Sequence, residues 1–318
     1  MTPAPVLDEK PAMLRGKMHY LLAYDGSEHA QAAIQLLLDL PCACSIPPEH
    51  CSVTLMSVLP TQWIGGHEQM QAGLNQEQQR LAEAGMQVET ILIAGNPAAS
   101  LNAYAKEIQA DLMLIGAKGL RATLGILLGG VAQQVVEYST CPVLVVRSPY
   151  HGLKRILLVT DGSEQSQQAI TYLAPPCPDG TRRRCSWLPQ EAQVSAMHVL
   201  PPPFPEGVVT PAWALGPEVL YPTPVTPIDK KAVEAEEQRQ AERLLGETQQ
   251  LLVLANLQTS TVLVRGDAAT EIIQHIQANE IDMVVCGSRG LSAVSGWLLG
   301  SVSRKLVHYA GCSVLIVK

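Results

Sequence analysis

Gly287, Gly290, Gly300 and Ser301 form the pattern Gly-x-x-Gly-x9-Gly-Ser, set between the apolar run "DMVVC" and "SVSRKLVHYA", a segment with helical spacing. Glycines let backbone approach a ligand closely. A helix start presents unpaired N–H groups and the positive end of its dipole, which together favour an anion such as phosphate. Ser301 adds a hydroxyl at that start, and Ser303 lies within the first turn. The chemistry this spacing suits is cradling a polyphosphate. The competing reading is that the glycines only make tight turns and let the helix pack close to a sheet. The chain has no Gly-x-x-x-x-Gly-Lys-Ser/Thr, no Gly-x-Gly-x-x-Gly and no His-Glu-x-x-His, so a phosphate site here is of another kind.

A carboxylate stands at the end of another apolar run: Asp161 in "LLVTDGSE". Two readings fit it. Asp followed three residues later by Glu164 resembles a helix-capping box, and a carboxylate at the ligand edge of a sheet can accept hydrogen bonds from ribose hydroxyls.

Both features occur twice. "DGSEHAQAAI" from Asp25 and "DGSEQSQQAI" from Asp161 agree at seven of ten positions, and "GAKGLRATLGILLGG" from Gly116 agrees with "GSRGLSAVSGWLLGS" from Gly287 at eight of fifteen. The chain is therefore an internal duplication. Each copy alternates apolar runs with amphipathic segments. The second reads "RILLVT", "SEQSQQAITYL", "AQVSAMHVL", "DKKAVEAEEQRQAERLLGETQQLLVLA", "QTSTVLV", "AATEIIQHIQAN", "DMVVCG", "SVSRKLVHYA" and "SVLIVK", five strands and four helices. Such alternation predicts an α/β fold with a doubly wound parallel sheet in each copy, covered on both faces. In such sheets ligands bind beyond the carboxyl ends of the strands, where both motifs stand.

The expected organisation is a flexible lead over 1–17, a first domain over 18–148, a linker over 149–154 and a second domain over 155–318. The second domain carries a proline-rich insertion at 201–227, too rich in proline for helix or interior strand. It reads as a long surface loop and a place for a protein partner. The last strand of each copy, "PVLVVR" and "SVLIVK", would leave an open edge unless covered. Pairing the two edges makes an intramolecular pseudo-dimer, with a homodimer as the further assembly.

A length of 318 residues accommodates two domains, and 47% hydrophobic with 16% charged residues is a globular composition. A net charge of -7 argues against nucleic acid and anionic membrane as partners. The triplet Arg182, Arg183, Arg184 reads as a solvated loop. No apolar stretch reaches membrane-span length and the N-terminal residues lack a signal-peptide core, so the expected location is cytoplasmic, with free thiols. Cys42, Cys44, His50 and Cys51 lie close together, but without zinc-type spacing or a second ligand pair, and no metal site is assigned.

The order "VTDGSE", "MHV", "VRGDAATEI", Gly-x-x-Gly-x9-Gly-Ser and "CSVLIV" resembles the universal stress protein family, as two tandem copies covering nearly the whole chain. The family's nucleotide-binding branch binds ATP through this glycine pattern. The resemblance implies ATP as ligand, with Mg2+ as a possible companion, on Gly287, Gly290, Gly300, Ser301 and Val302. Thr160 and Asp161 would lie beside the nucleoside, Val199 would offer backbone to adenine, and Cys286 would line the adenine pocket. The first copy has Asp25, Val58, Gly116, Gly119 and Gly129, but Gly130 replaces the hydroxyl residue. That is one side-chain hydrogen bond to a charged phosphate fewer, ~1.5 to 3 kcal/mol.

The function so implied is a nucleotide-dependent stress-response module with ATP mainly in the second domain. No general base, metal cluster or arginine finger converges with the loop, so no catalytic residue is assigned. The family includes slow hydrolysis and autophosphorylation, which leaves Ser301 or Ser303 as a phosphate acceptor open. Two alternatives stand beside this reading: a nucleotide-free dimerisation and interaction protein with purely structural glycine loops, and a flavin-carrying electron-transfer protein.

Overall fold

A computed structural model describes residues 18–40, 51–61, 66–120, 127–177, 184, 186–203, 230–291 and 299–318. The first copy runs β1 (Met18–Ala23), α1 (Glu28–Asp39), β2 (Cys51–Leu59), α2 (His67–Glu83), β3 (Gln87–Ala94), α3 (Pro97–Glu107), β4 (Leu112–Gly116), α4 (Gly130–Tyr138) and β5 (Val143–Val146). The second repeats the order as β6 (Arg155–Val159), α5 (Glu164–Leu173), β7 (Gln193–Leu200), α6 (Lys230–Leu254), β8 (Gln258–Arg265), α7 (Ala268–Ala278), β9 (Met283–Gly287), α8 (Ser301–Tyr309) and β10 (Ser313–Val317).

All ten strands join one sheet in the order β3-β2-β1-β4-β5-β10-β9-β6-β7-β8. Within each copy the strands are parallel, and the chain reverses its direction of travel between β1 and β4 and again between β6 and β9. The copies meet antiparallel through β5 and β10, with Val145 opposite Val314, Leu144 opposite Leu315 and Val143 opposite Ile316. The pseudo-dimer expected from two apolar last strands is thus present as a seam in the middle of the sheet.

Strand composition follows position. Inner strands such as "MVVCG" of β9 and "SVLIV" of β10 are buried along their whole length, because helices cover both faces. The two edge strands, β3 "QVETILIA" and β8 "QTSTVLVR", mix polar with apolar residues and stay partly exposed. One apolar core lies on each face, and each runs across the seam: Leu22, Leu144, Leu158 and Leu315 belong to one, Leu21, Val143, Leu157 and Val314 to the other.

Cys42, Cys44 and His50, and the insertion from residue 204 onward, lie outside the described residues. Among the described residues no three His, Cys, Asp or Glu gather where they could hold a metal ion, and no helix is long and apolar enough to cross a membrane. Of the arginine triplet, Arg184 is described and is not free in solvent. It is half-buried, its guanidinium donates to the Ala174 carbonyl just past α5, and its N–H donates to Leu254 O.

Candidate functional site

Where β6 and β9 diverge, a cleft of about 790 Å³ opens beyond their carboxyl ends. This is the switch point of the second copy, where a doubly wound sheet offers room for a ligand. Thr160, Asp161, Val199, Cys286, Gly287, Gly290, Gly300, Ser301, Val302 and Ser303 all line it.

The two readings of Asp161 separate here. The cap of α5 is Ser163, whose hydroxyl accepts from Ser166 N–H (3.3 Å). Asp161 instead accepts Ser163 N–H on Oδ1 (3.0 Å) and Leu291 N–H on Oδ2 (3.1 Å), tying the loop after β6 to the glycine loop. A Cβ at Gly290 would collide with Oδ2. A Cβ at Gly287 would come within 2.6 Å of the Gln165 carbonyl carbon, so α5 rests directly on the end of β9. Close packing therefore accounts for these two glycines, while the helix start they frame remains open.

That start has the electrostatics of an anion site. Gly300 caps α8 without a side-chain bond, its own N–H donates to Ser288 O (2.7 Å), and the first intrahelical bond runs from Arg304 N–H to Gly300 O (2.9 Å). The N–H groups of Ser301, Val302 and Ser303 precede that bond and lack helical acceptors. Ser301 is exposed beside them. Ser303 is not: its side chain is buried and its hydroxyl donates to Gly287 O (2.8 Å), so it fastens the helix to β9 and contributes only its N–H.

Cations surround this helix start. Among the described residues Arg289, Arg304 and Lys305 line the cleft against one carboxylate, Asp161. Sequence reasoning missed all three, although Arg304 and Lys305 follow Ser301 by three and four residues, the spacing of one helix face. Arg304 also reaches across the seam, with Nη2 3.3 Å from Oε1 of Glu137 in α4, so the first copy helps place a cation of the second copy's cleft. Lys305 Nζ lies 3.7 Å from Asp267.

At the other end of the cleft the strand backbone is exposed. Thr160 N–H donates to Met197 O (3.0 Å), and β7 continues past the end of β6. Alternate residues of a strand present their backbone groups to the same side, so Val199 turns its N–H and C=O toward the space that β6 no longer fills. His198 Nδ1 donates to the Thr160 carbonyl there (2.8 Å). Cys286 sits buried below, its thiol pushed up to about 12 by desolvation, and is a neutral wall rather than a nucleophile.

The first copy repeats the scaffold with fewer charges among the described residues. Its cleft, about 350 Å³, is lined by Asp25, Val58, Gly116, Gly119, Gly129 and Gly130 among others. Asp25 again takes two N–H groups, from Ser27 (3.0 Å) and Leu120 (3.3 Å), and a Cβ at Gly119 would lie 2.6 Å from its Oδ2. Yet Gln133 and Gln134 occupy the positions of Arg304 and Lys305, Ala132 that of Ser303 and Ala30 that of Ser166. Among the described residues one lining cation, Lys118, remains. The difference from the second cleft is larger than the single hydroxyl at position 130 on which the sequence reading placed it.

A family model described as "Universal stress protein family" matches residues 18–147 and again 152–318. A universal stress protein of Bacillus subtilis is 28% identical over 52% of this chain and 98% of its own length. Another, of Mycobacterium tuberculosis, is 27% identical over 74% of this chain and 71% of its own. The crystal structure of a universal stress protein from Archaeoglobus fulgidus, 18% identical, superposes over 94% of this chain and 98% of that one with a TM-score of 0.59, a likeness of fold. Two matches in tandem, on two copies with the same order of strands and the same glycine loops, make this chain a member of the universal stress protein family.

Proposed function

We propose that the second copy binds ATP and that the chain acts as a nucleotide-dependent module, holding the nucleotide rather than turning it over rapidly. The observation that carries this is the helix start of α8: three N–H groups without helical acceptors, the Ser301 hydroxyl, and Arg289, Arg304 and Lys305 within one cleft. Donors and cations of this kind suit a triphosphate. Val199 would meet the adenine edge with its backbone, and the free lone pairs of Asp161 would take ribose hydroxyls. Both Asp161 oxygens already hold backbone N–H groups, which suits positioning better than proton transfer.

The packing roles of Gly287 and Gly290 favour one other reading, a nucleotide-free interaction protein. Extracting small molecules from the purified protein separates the readings: ATP or ADP supports nucleotide binding, and no nucleotide, together with no heat on titration with ATP in the presence or absence of Mg2+, refutes it. Within this account Arg304→Ala removes a charge-assisted contact worth ~1.5 to 3 kcal/mol. Its ATP affinity should fall by roughly ten-fold to a hundred-fold, with a shallower dependence on ionic strength. Calorimetric titration at two salt concentrations reads both. An Arg304→Ala variant with wild-type affinity would remove the cation face from the site.

A further inference from the structure

We propose that the first cleft is a separate binding site for an uncharged, largely apolar small molecule. The two copies share one backbone frame. Asp25 holds the same two loops as Asp161, α4 begins at Gly130 as α8 begins at Ser301, and Gly129 N–H closes its loop on Ala117 O (2.8 Å) as Gly300 N–H does on Ser288 O. The frame of a ligand cleft is therefore kept.

The described side chains lining that frame become more apolar. Where the second cleft has Cys286, Ser301 and Ser303, the first has Ile115, Gly130 and Ala132, and Ala30, at the position of Ser166, does not line it. Tyr24 stands where Thr160 does, but its hydroxyl turns away and accepts from Gln31 Nε2 (3.2 Å). Met56, Val58, Leu101, Ile115, Leu128 and Val131 supply an apolar wall. Among the described residues the charged lining is one carboxylate and one ammonium, Asp25 and Lys118, against one carboxylate and three cations in the second cleft; Arg121, next to Leu120, lies outside the described residues.

Among the described residues a polyphosphate finds no excess cation here, and desolvating its charge against apolar walls would be costly. A neutral ligand suffers neither penalty. The first bond of α4 runs from Gln133 N–H to Gly129 O (3.0 Å), so the N–H groups of Gly130, Val131 and Ala132 also lack helical acceptors. These donors suit one neutral acceptor, such as a carbonyl or hydroxyl oxygen, at one end of an apolar body. At about 350 Å³ the space has the size of a small-molecule pocket. This proposal stands whether or not the second cleft holds ATP.

The test uses the full chain and the neutral fluorescent probe N-phenyl-1-naphthylamine. Val131 is exposed at the start of α4, where an aspartate is compatible with the helix; Val131→Asp places a carboxylate in the cleft mouth, and Val302→Asp does the same in the second copy. The expected result is one probe site per chain that millimolar ATP does not displace. Val131→Asp should weaken it at least ten-fold while leaving the circular dichroism spectrum intact, and Val302→Asp should leave it unchanged. Absence of probe binding, displacement by ATP, or equal affinity in Val131→Asp would each overturn the proposal. A wild-type titration showing two ATP sites per chain would overturn it as well.

Discussion

Replacing Gly300 with valine is expected to weaken ATP binding by about a hundred-fold or more, equivalent to ~2.7 kcal/mol. A Cβ there would already lie 3.3 Å from Arg289 Cα and 3.4 Å from Ser288 O, both backbone atoms, and valine adds two methyl groups in the same confined space. Gly300 cannot retreat without breaking its N–H bond to Ser288 O (2.7 Å). Strain is therefore relieved by moving the loop away from the start of α8, which misplaces Arg289 and spreads the N–H donors. The backbone at Gly300 is ordinary extended conformation (φ -68°, ψ 159°), so the helix itself should survive. Titration calorimetry paired with far-UV circular dichroism checks the prediction. Unchanged affinity in a folded variant would place any nucleotide elsewhere.

The second large effect concerns the seam. Leu315 is fully buried in the core that both copies share, opposite Leu144 across the antiparallel pair and Val285 across the parallel one. Leu315→Pro removes a ladder donor from an interior strand and leaves its acceptor unpaired, a loss of ~1 to 3 kcal/mol, besides disturbing the packing on both sides. The lost hydrogen bond alone should lower the melting temperature by roughly 2 to 5 °C, and the disturbed packing lowers it further. Because the pairing of β10 with β5 joins the two halves of the sheet, the first copy should become protease-sensitive together with the second. Limited proteolysis with identification of the fragments decides this. A first copy as resistant as in the wild type would mean that the seam does not couple the two.

Much of this architecture is legible in the residues. Repetition of "DGSE" and of the glycine stretch exposes the duplication, and runs such as "DMVVC" and "SVLIV" announce interior strands because they lack the alternation of a half-exposed sheet. The capping residue of α5 was not legible, since Asp161 and Ser163 are both good cap formers two positions apart and only the backbone geometry selects Ser163. Nor was the contact of Gly290 with Asp161, which brings together residues 129 positions apart in the chain. The loss of polar groups around the first cleft needs several elements at once: Ala30, Ile115 and Ala132, where the second copy has Ser166, Cys286 and Ser303, come from α1, β4 and α4, and each alone is an ordinary apolar residue. Arg304 was readable from its spacing to Ser301, but its partner Glu137 belongs to the other copy and follows from the strand pairing that brings α4 beside α8.

We propose that one duplicated frame carries two different clefts, both with unpaired N–H groups at a helix start, of which the second has, among the described residues, the hydroxyl and the three cations that suit a polyphosphate. Native mass spectrometry of the intact chain titrated with ATP measures this most directly. The predicted result is a single bound ATP per chain that disappears in Gly300→Val and persists in Gly129→Val, the corresponding change in the first copy. Two bound nucleotides of similar affinity, or a single one lost in Gly129→Val and retained in Gly300→Val, would contradict it.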